Sequence, residues 1–136
     1  ELSLSLGALA QKPLRQYVSD PQNVPRNAFA DLQPYSALIA VDAEGHATTR
    51  LGGNTVVILT TDYEERTPAQ AENVRLEGGR LTWDAVSEAE HRYYRVFADG
   101  RQIASTVETS LPAPENAREF QVYSVDQYGN CAGTER

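Results

Sequence analysis

The sequence predicts an all-β chain. Its best-patterned stretches alternate apolar and polar residues with a period of two. They are rich in Val, Ile, Thr and aromatics, and turn signals built on glycine separate them. With 136 residues, 40% hydrophobic and 23% charged, the chain holds enough apolar surface for a core. That length suits one ordinary domain or two very small ones.

In chain order, Leu2-Ser3-Leu4-Ser5-Leu6 alternates and supplies a first strand. Prolines at 21 and 25 punctuate an expected loop from Ser19 to Asn27. Strand-like segments follow at Phe29–Leu32, from Tyr35 to Asp42, and in the β-branched run Thr55-Val56-Val57-Ile58-Leu59-Thr60. The polar stretch from Asp62 to Gln70 ends strand character abruptly, which places a linker at residues 62–71. Pro68 to Val74 reads either as that linker or as one or two helical turns capped by Thr67. Beyond it, Arg80-Leu81-Thr82-Trp83-Asp84, Tyr94-Arg95-Val96-Phe97 and Phe120-Gln121-Val122-Tyr123 carry the period of two. Asp99-Gly100, between Tyr94–Phe97 and Gln102–Ser105, is the strongest hairpin signal, because both residues tolerate the positive φ of a two-residue turn. Gly52-Gly53-Asn54, Gly78-Gly79 and Gly129-Asn130 are further turn signals.

One similarity is internal. Ala40-Val41-Asp42-Ala43-Glu44-Gly45 reads against Ser124-Val125-Asp126-Gln127-Tyr128-Gly129, with Val, Asp and Gly matched at an offset of 84 residues. Each copy has the makings of a strand followed by a tight turn. Its Asp accepts from nearby backbone N–H groups and its Gly takes positive φ.

On these residues the distal part, 72–136, resembles a fibronectin type III domain. Asn73-Val74-Arg75-Leu76 is similar to its first strand, Leu81-Thr82-Trp83 to its second with a buried tryptophan, and Tyr94-Arg95-Val96-Phe97 to its third. Phe120 to Asn130 resembles its sixth strand and the turn after it. The resemblance implies an immunoglobulin-like β-sandwich with Trp83, Tyr94 and Val96 inside. Two departures stand out. The stretch spans about 65 residues rather than roughly 100, and the position of the family's corner tyrosine holds Arg118. Residues 1–61 are expected to form an abbreviated β unit, either a partial sandwich or the tail of a preceding domain. The run from Thr60-Thr61 through the linker to Asn-Val-Arg-Leu-x-Gly-Gly-x-Leu-Thr-Trp looks like modules trailing secreted bacterial polysaccharide-degrading enzymes. That resemblance implies a secreted, periplasmic or cell-surface protein. The expected role is a non-catalytic accessory or spacer module, with domains of the same parent protein as partners. Carbohydrate binding through exposed aromatics and a fragment of a polysaccharide-degrading enzyme are the alternatives.

Charge and chemistry narrow the field. The net charge is −7, with −4 over residues 1–72 and −3 over 73–136, so neither half is a basic footprint for nucleic acid. No apolar run reaches 18 residues, so no helical membrane span is expected. The single cysteine, Cys131, excludes an intrachain disulfide and a four-cysteine zinc site, and reads as a half-buried strand residue. The chain holds no methionine even at position 1, from which a processed chain or a fragment is expected.

No catalytic, cofactor-binding or metal-ligating set emerges, and no cofactor is expected. Asp84, Glu88 and Glu90 read as a solvated acidic loop rather than an acid–base pair. His46 and His91 read as exposed, since no strained nucleophile turn accompanies them. Asp42 and Asp126 read as turn caps rather than calcium ligands, because the spacing of an EF-hand loop is absent. With Trp83 assigned to the core, Tyr93, Phe97, Tyr123 and Tyr128 remain as partly exposed aromatics. They are the candidate interaction surface.

Overall fold

A computed structural model describes residues 1–7, 12–19 and 35–131. These residues form antiparallel β-sheets, with no α-helix among them. They divide into two units, one of described residues up to Glu64 and one from Glu65 onward.

The first unit contains β1 (Leu2–Ser5), β2 (Leu14–Ser19), β3 (Tyr35–Ile39), β4 (His46–Thr49) and β5 (Val56–Thr60). β1 pairs with β4, and β2 is the central strand of a sheet ordered β3-β2-β5. The alternation in β1 is real: its leucines are half-buried and its serines exposed. Leu4 lies opposite the buried Ala47. The Thr49 hydroxyl donates to the Gln16 side chain, which ties the β1–β4 pair to β2. The sequence reading did not identify β2, because polar residues occupy positions where it sought apolar ones. Arg15 is buried there with its guanidinium 4.9 Å from the centre of the Tyr63 ring. That ring lets a cation sit out of water on a π face. Ser19 ends β2, and the remainder of the loop expected at 19–27, like the segment Phe29–Leu32, lies outside the described residues.

The second unit contains β6 (Arg75–Glu77), β7 (Arg80–Thr82), β8 (His91–Ala98), β9 (Arg101–Thr106), β10 (Ser110–Pro112) and β11 (Phe120–Asp126). They form two sheets, ordered β10-β7-β6 and β11-β8-β9. Leu81 and Leu111 from the first sheet share one buried cluster with Tyr94, Val96 and Val122 from the second. The unit is therefore a β-sandwich. Trp83 directly follows β7, is 3% exposed, and meets Tyr94 edge-on with ring centroids 5.4 Å apart. Its backbone N–H donates to Thr109 O at 3.0 Å, so the tryptophan is held against β10 although it lies just past the strand.

Both hairpins carry the angles that their turn residues allow. Gly78 and Gly79 have φ of 55° and 77° between β6 and β7, and Asp99 and Gly100 have 50° and 76° between β8 and β9. Two successive positive φ values match the twist of the flanking strands. Pro68 to Val74 forms no helix. Pro68 is buried, and Ala71 and Val74 pack on the core instead. At the corner before β11 the chain uses a carboxylate. Asp99 Oδ1 accepts from the backbone N–H groups of Arg118 and Glu119 at 3.1 and 2.9 Å. Asp99 N–H in turn donates to Glu119 O at 2.9 Å. The hairpin thereby fastens the segment that leads into β11. These bonds, that of Glu119 foremost, hold the Asp99 carboxyl below its ordinary pKa.

Candidate functional site

The antiparallel pairing of β8 with β11 sorts the aromatics onto two faces. Tyr94 and Val96 lie opposite Ser124 and Val122 and turn to the core. Phe97 lies opposite Gln121, Arg95 opposite Tyr123, and Tyr93 opposite Val125, all on the outward face. Tyr93, Phe97 and Tyr123 are partly exposed there, as is Tyr128 in the turn after β11. Phe97 and Tyr123 meet edge to face, with ring centroids 5.4 Å apart and planes at 72°.

Arg95 is the residue that sequence reasoning missed on this face. It is 1% exposed although it stands between Tyr93 and Phe97 in the outward row. Its Nη2 donates to the Tyr93 hydroxyl at 3.2 Å, and its guanidinium lies 5.8 Å from that ring's centre. Long stems and π faces let such a cation lie beneath aromatics. The available signal was its place at the middle of the 93-95-97 row.

The acidic loop between β7 and β8 is a second feature. Glu88 and Glu90 do not simply face water. Their carboxylates lie 2.9 Å from Arg66 Nη2 and Nη1, and the Asp126 carboxylate lies 3.7 Å from Nε. The hydrogen bond from Arg66 is the main cause holding Glu90 below its ordinary pKa, and the same bond holds Arg66 above its own. Asp84, the third residue of that stretch, is exposed and accepts from Asn73 Nδ2 at 2.6 Å. Among the described residues, no three His, Cys, Asp or Glu side chains are arranged to hold a metal ion.

The two histidines differ. His46 is exposed at the start of β4, but His91 is half-buried rather than exposed. Its Nδ1 lies 2.7 Å from Ser124 Oγ, and its ring is tilted against Tyr94 at 4.4 Å. The pairing of β8 with β11 makes this contact across 33 residues, which no local motif announces. Ser124 is 0% exposed, so its hydroxyl meets the imidazole inside the sandwich and offers no open path to a substrate. Burial is the main cause pushing the His91 pKa below that of an ordinary imidazole. Folding therefore favours the neutral ring, while the unfolded chain takes up a proton near pH ~6.5. The stability that His91 contributes is full above that pH and lost as pH falls through the lower folded value. Urea midpoints measured from pH ~8 to ~5 are expected to decline through this window, and His91→Gln is expected to flatten that part of the curve.

The matched turns at Asp42 and Asp126 have the same backbone hydrogen bonds to their carboxylates. Asp42 Oδ1 accepts from the N–H groups of Glu44 and His46 at 3.0 and 2.8 Å. Asp126 Oδ1 accepts from those of Tyr128 and Asn130, both at 2.9 Å. Gly45 and Gly129 take φ of 83° and 80°. The His46 N–H is the main cause holding the Asp42 carboxyl below its ordinary pKa. Both side chains act as turn caps. Cys131, just beyond the second turn, is half-buried and forms an isolated bridge with Val125.

The fold and these sites define an all-β protein whose distal unit is a β-sandwich with an aromatic outer sheet face. Compared with known proteins, the chain matches no family model, no curated protein and no solved structure.

Proposed function

We propose that this chain is a non-catalytic accessory module of a secreted or cell-surface bacterial glycan-processing protein, and that it spaces and packs against a neighbouring domain of that protein. In this reading residues 72–136 are of fibronectin type III kind. Strand order supports that. The first, second and fifth strands of the unit share one sheet, and the third, fourth and sixth share the other, the division of an immunoglobulin-like sandwich. The single observation that carries the role is the pair Phe97 and Tyr123 on the outward face, with their planes at 72°. Two rings set nearly at right angles make a ridge rather than a flat platform. A ridge interdigitates with protein side chains, whereas a sugar ring stacks on a flat aromatic surface. Phe97 is already partly covered, so it contributes less than the ~1.5–3 kcal/mol of a fully buried phenylalanine.

Calorimetry on the parent protein tests this. The distal unit and its neighbour are expected to unfold in one coupled transition. Phe97→Ser combined with Tyr123→Ser is expected to split it by several degrees while the distal unit alone keeps its melting temperature. Independent transitions in the unmodified protein would overturn the packing role. Retention of the chain on a polysaccharide gel, lost in Tyr93→Ala or Tyr128→Ala, would replace it with carbohydrate binding. Polysaccharide cleavage by the chain itself would replace it with catalysis.

A further inference from the structure

β5 forms one edge of the sheet β3-β2-β5 and is bonded to β2 on one side. Among the described residues, no strand pairs with its other side. An edge of this kind leaves alternate N–H and C=O groups open to a further strand. Edge strands of the second unit carry residues that discourage such pairing: Arg75 and Glu77 on β6, Arg101 on β9 and Pro112 on β10. In the first unit, β3 on the far edge of the same sheet adjoins β4, and β1 is only four residues long. β5 has none of these devices. The run from Thr55 to Thr60 holds no charge, no proline and no glycine, and every residue in it but Leu59 is β-branched. Val56 and Ile58 are 60% and 57% exposed, which sets a large apolar surface beside the open edge.

We propose that β5 is a docking edge for a second copy of this chain, the two β5 strands pairing antiparallel about a two-fold axis at Ile58. Such a contact sets one patch against itself. The run is its own complement. With threonine at both ends and aliphatic residues between, it meets the same uncharged surface when turned end over end. In this register Ile58 meets Ile58 of the other copy, Val56 meets Thr60, and Val57 meets Leu59. No charge faces a like charge, since the flanking Asp62 falls opposite Asn54. Shared backbone bonds and apolar cross-strand pairs stabilise the joint, and Val56 and Ile58 lose exposure to water. The two-fold uses the same edge of both copies, so the assembly closes as a dimer.

Light scattering and sedimentation velocity on the whole chain test the edge, under reducing conditions so that Cys131 links no chains. With rising concentration the unmodified chain is expected to pass from its 15.0 kDa mass to twice that value. Amide exchange in β5 is expected to slow as the dimer forms, with β8 and β11 unchanged. Ile58→Lys sets two ammonium groups against each other at the axis and is expected to leave a single-chain mass at every concentration. That side chain is largely exposed, so the circular dichroism of dilute protein is expected to stay the same. Val56→Lys serves the same purpose should Ile58→Lys unfold. Leu76→Lys, at an exposed leucine of the second unit, is expected to leave the dimer intact. A single-chain mass throughout in the unmodified protein would overturn the second copy as the occupant of this edge. So would a dimer that survives both lysines in β5, or one lost equally in Leu76→Lys.

Discussion

Trp83→Ala is expected to destabilise the distal sandwich by about 3–5 kcal/mol. The indole is 3% exposed and lies in the cluster to which both sheets contribute, so its removal opens a cavity between them. It also removes the edge contact with Tyr94 at 5.4 Å, a kind of pairing worth about 0.5–1.5 kcal/mol. Marginal stability is the rule for domains, and small ones bury the least surface, so a loss of this size leaves the unit largely unfolded near 37 °C. Urea titration followed by far-UV circular dichroism measures it, since the only tryptophan is gone. Trp83→Phe is expected to be milder, at about 1–2 kcal/mol. The indole N–H has no hydrogen-bond partner among the described residues, so phenylalanine gives up ring volume but leaves no new polar group unpaired. Equal losses for the two variants would contradict the central position of that ring.

Asp126→Ala is expected to cost about 3 kcal/mol, while the equivalent change Asp42→Ala has little effect. The two carboxylates accept the same backbone hydrogen bonds, but their side-chain partners and their burial differ. The Asp126 side chain is 0% exposed, and the Asp42 side chain is 51% exposed. Removing the buried carboxylate takes an acceptor from the Asn130 N–H and from the Asn130 side-chain amide, which donates to Oδ2 at 2.9 Å. It also takes one of three acids from Arg66. At Asp42, water replaces the lost acceptor. Denaturant unfolding of the two variants side by side checks the contrast, and equal effects would show that turn geometry rather than burial sets the energy.

Much of the distal fold was legible residue by residue. Asp99-Gly100 and Gly78-Gly79 announce hairpins because few other residues accept two consecutive positive φ angles. The alternation of Tyr94 and Val96 with Tyr93 and Phe97 announces that one pair on β8 meets the core and the other turns away, because a strand turns successive side chains to opposite faces. Which pair lies inside was an expectation of the resemblance. The matched Val-Asp-x-x-Gly segments announce their own turns for the same local reason. β2 was hidden because its buried Arg15 mimics a surface residue, and the Tyr63 ring, which helps make its burial tolerable, is far away in sequence. Of the candidate surface, the outward placement of Tyr93, Phe97 and Tyr123 was readable. The buried Arg95 among them and the perpendicular set of Phe97 on Tyr123 were not.

The sequence by itself determined the all-β class, the positions of the tight turns and the tryptophan at the heart of the distal core, because backbone angles and a two-residue period act between near neighbours. Only the tertiary structure decided that Arg66 meets Glu88, Glu90 and Asp126, and that His91 meets Ser124. Those partners lie 22 to 60 residues apart and are joined by strand pairing and loop closure. A charge or a hydroxyl carries no mark in the sequence of the group that folding will set beside it.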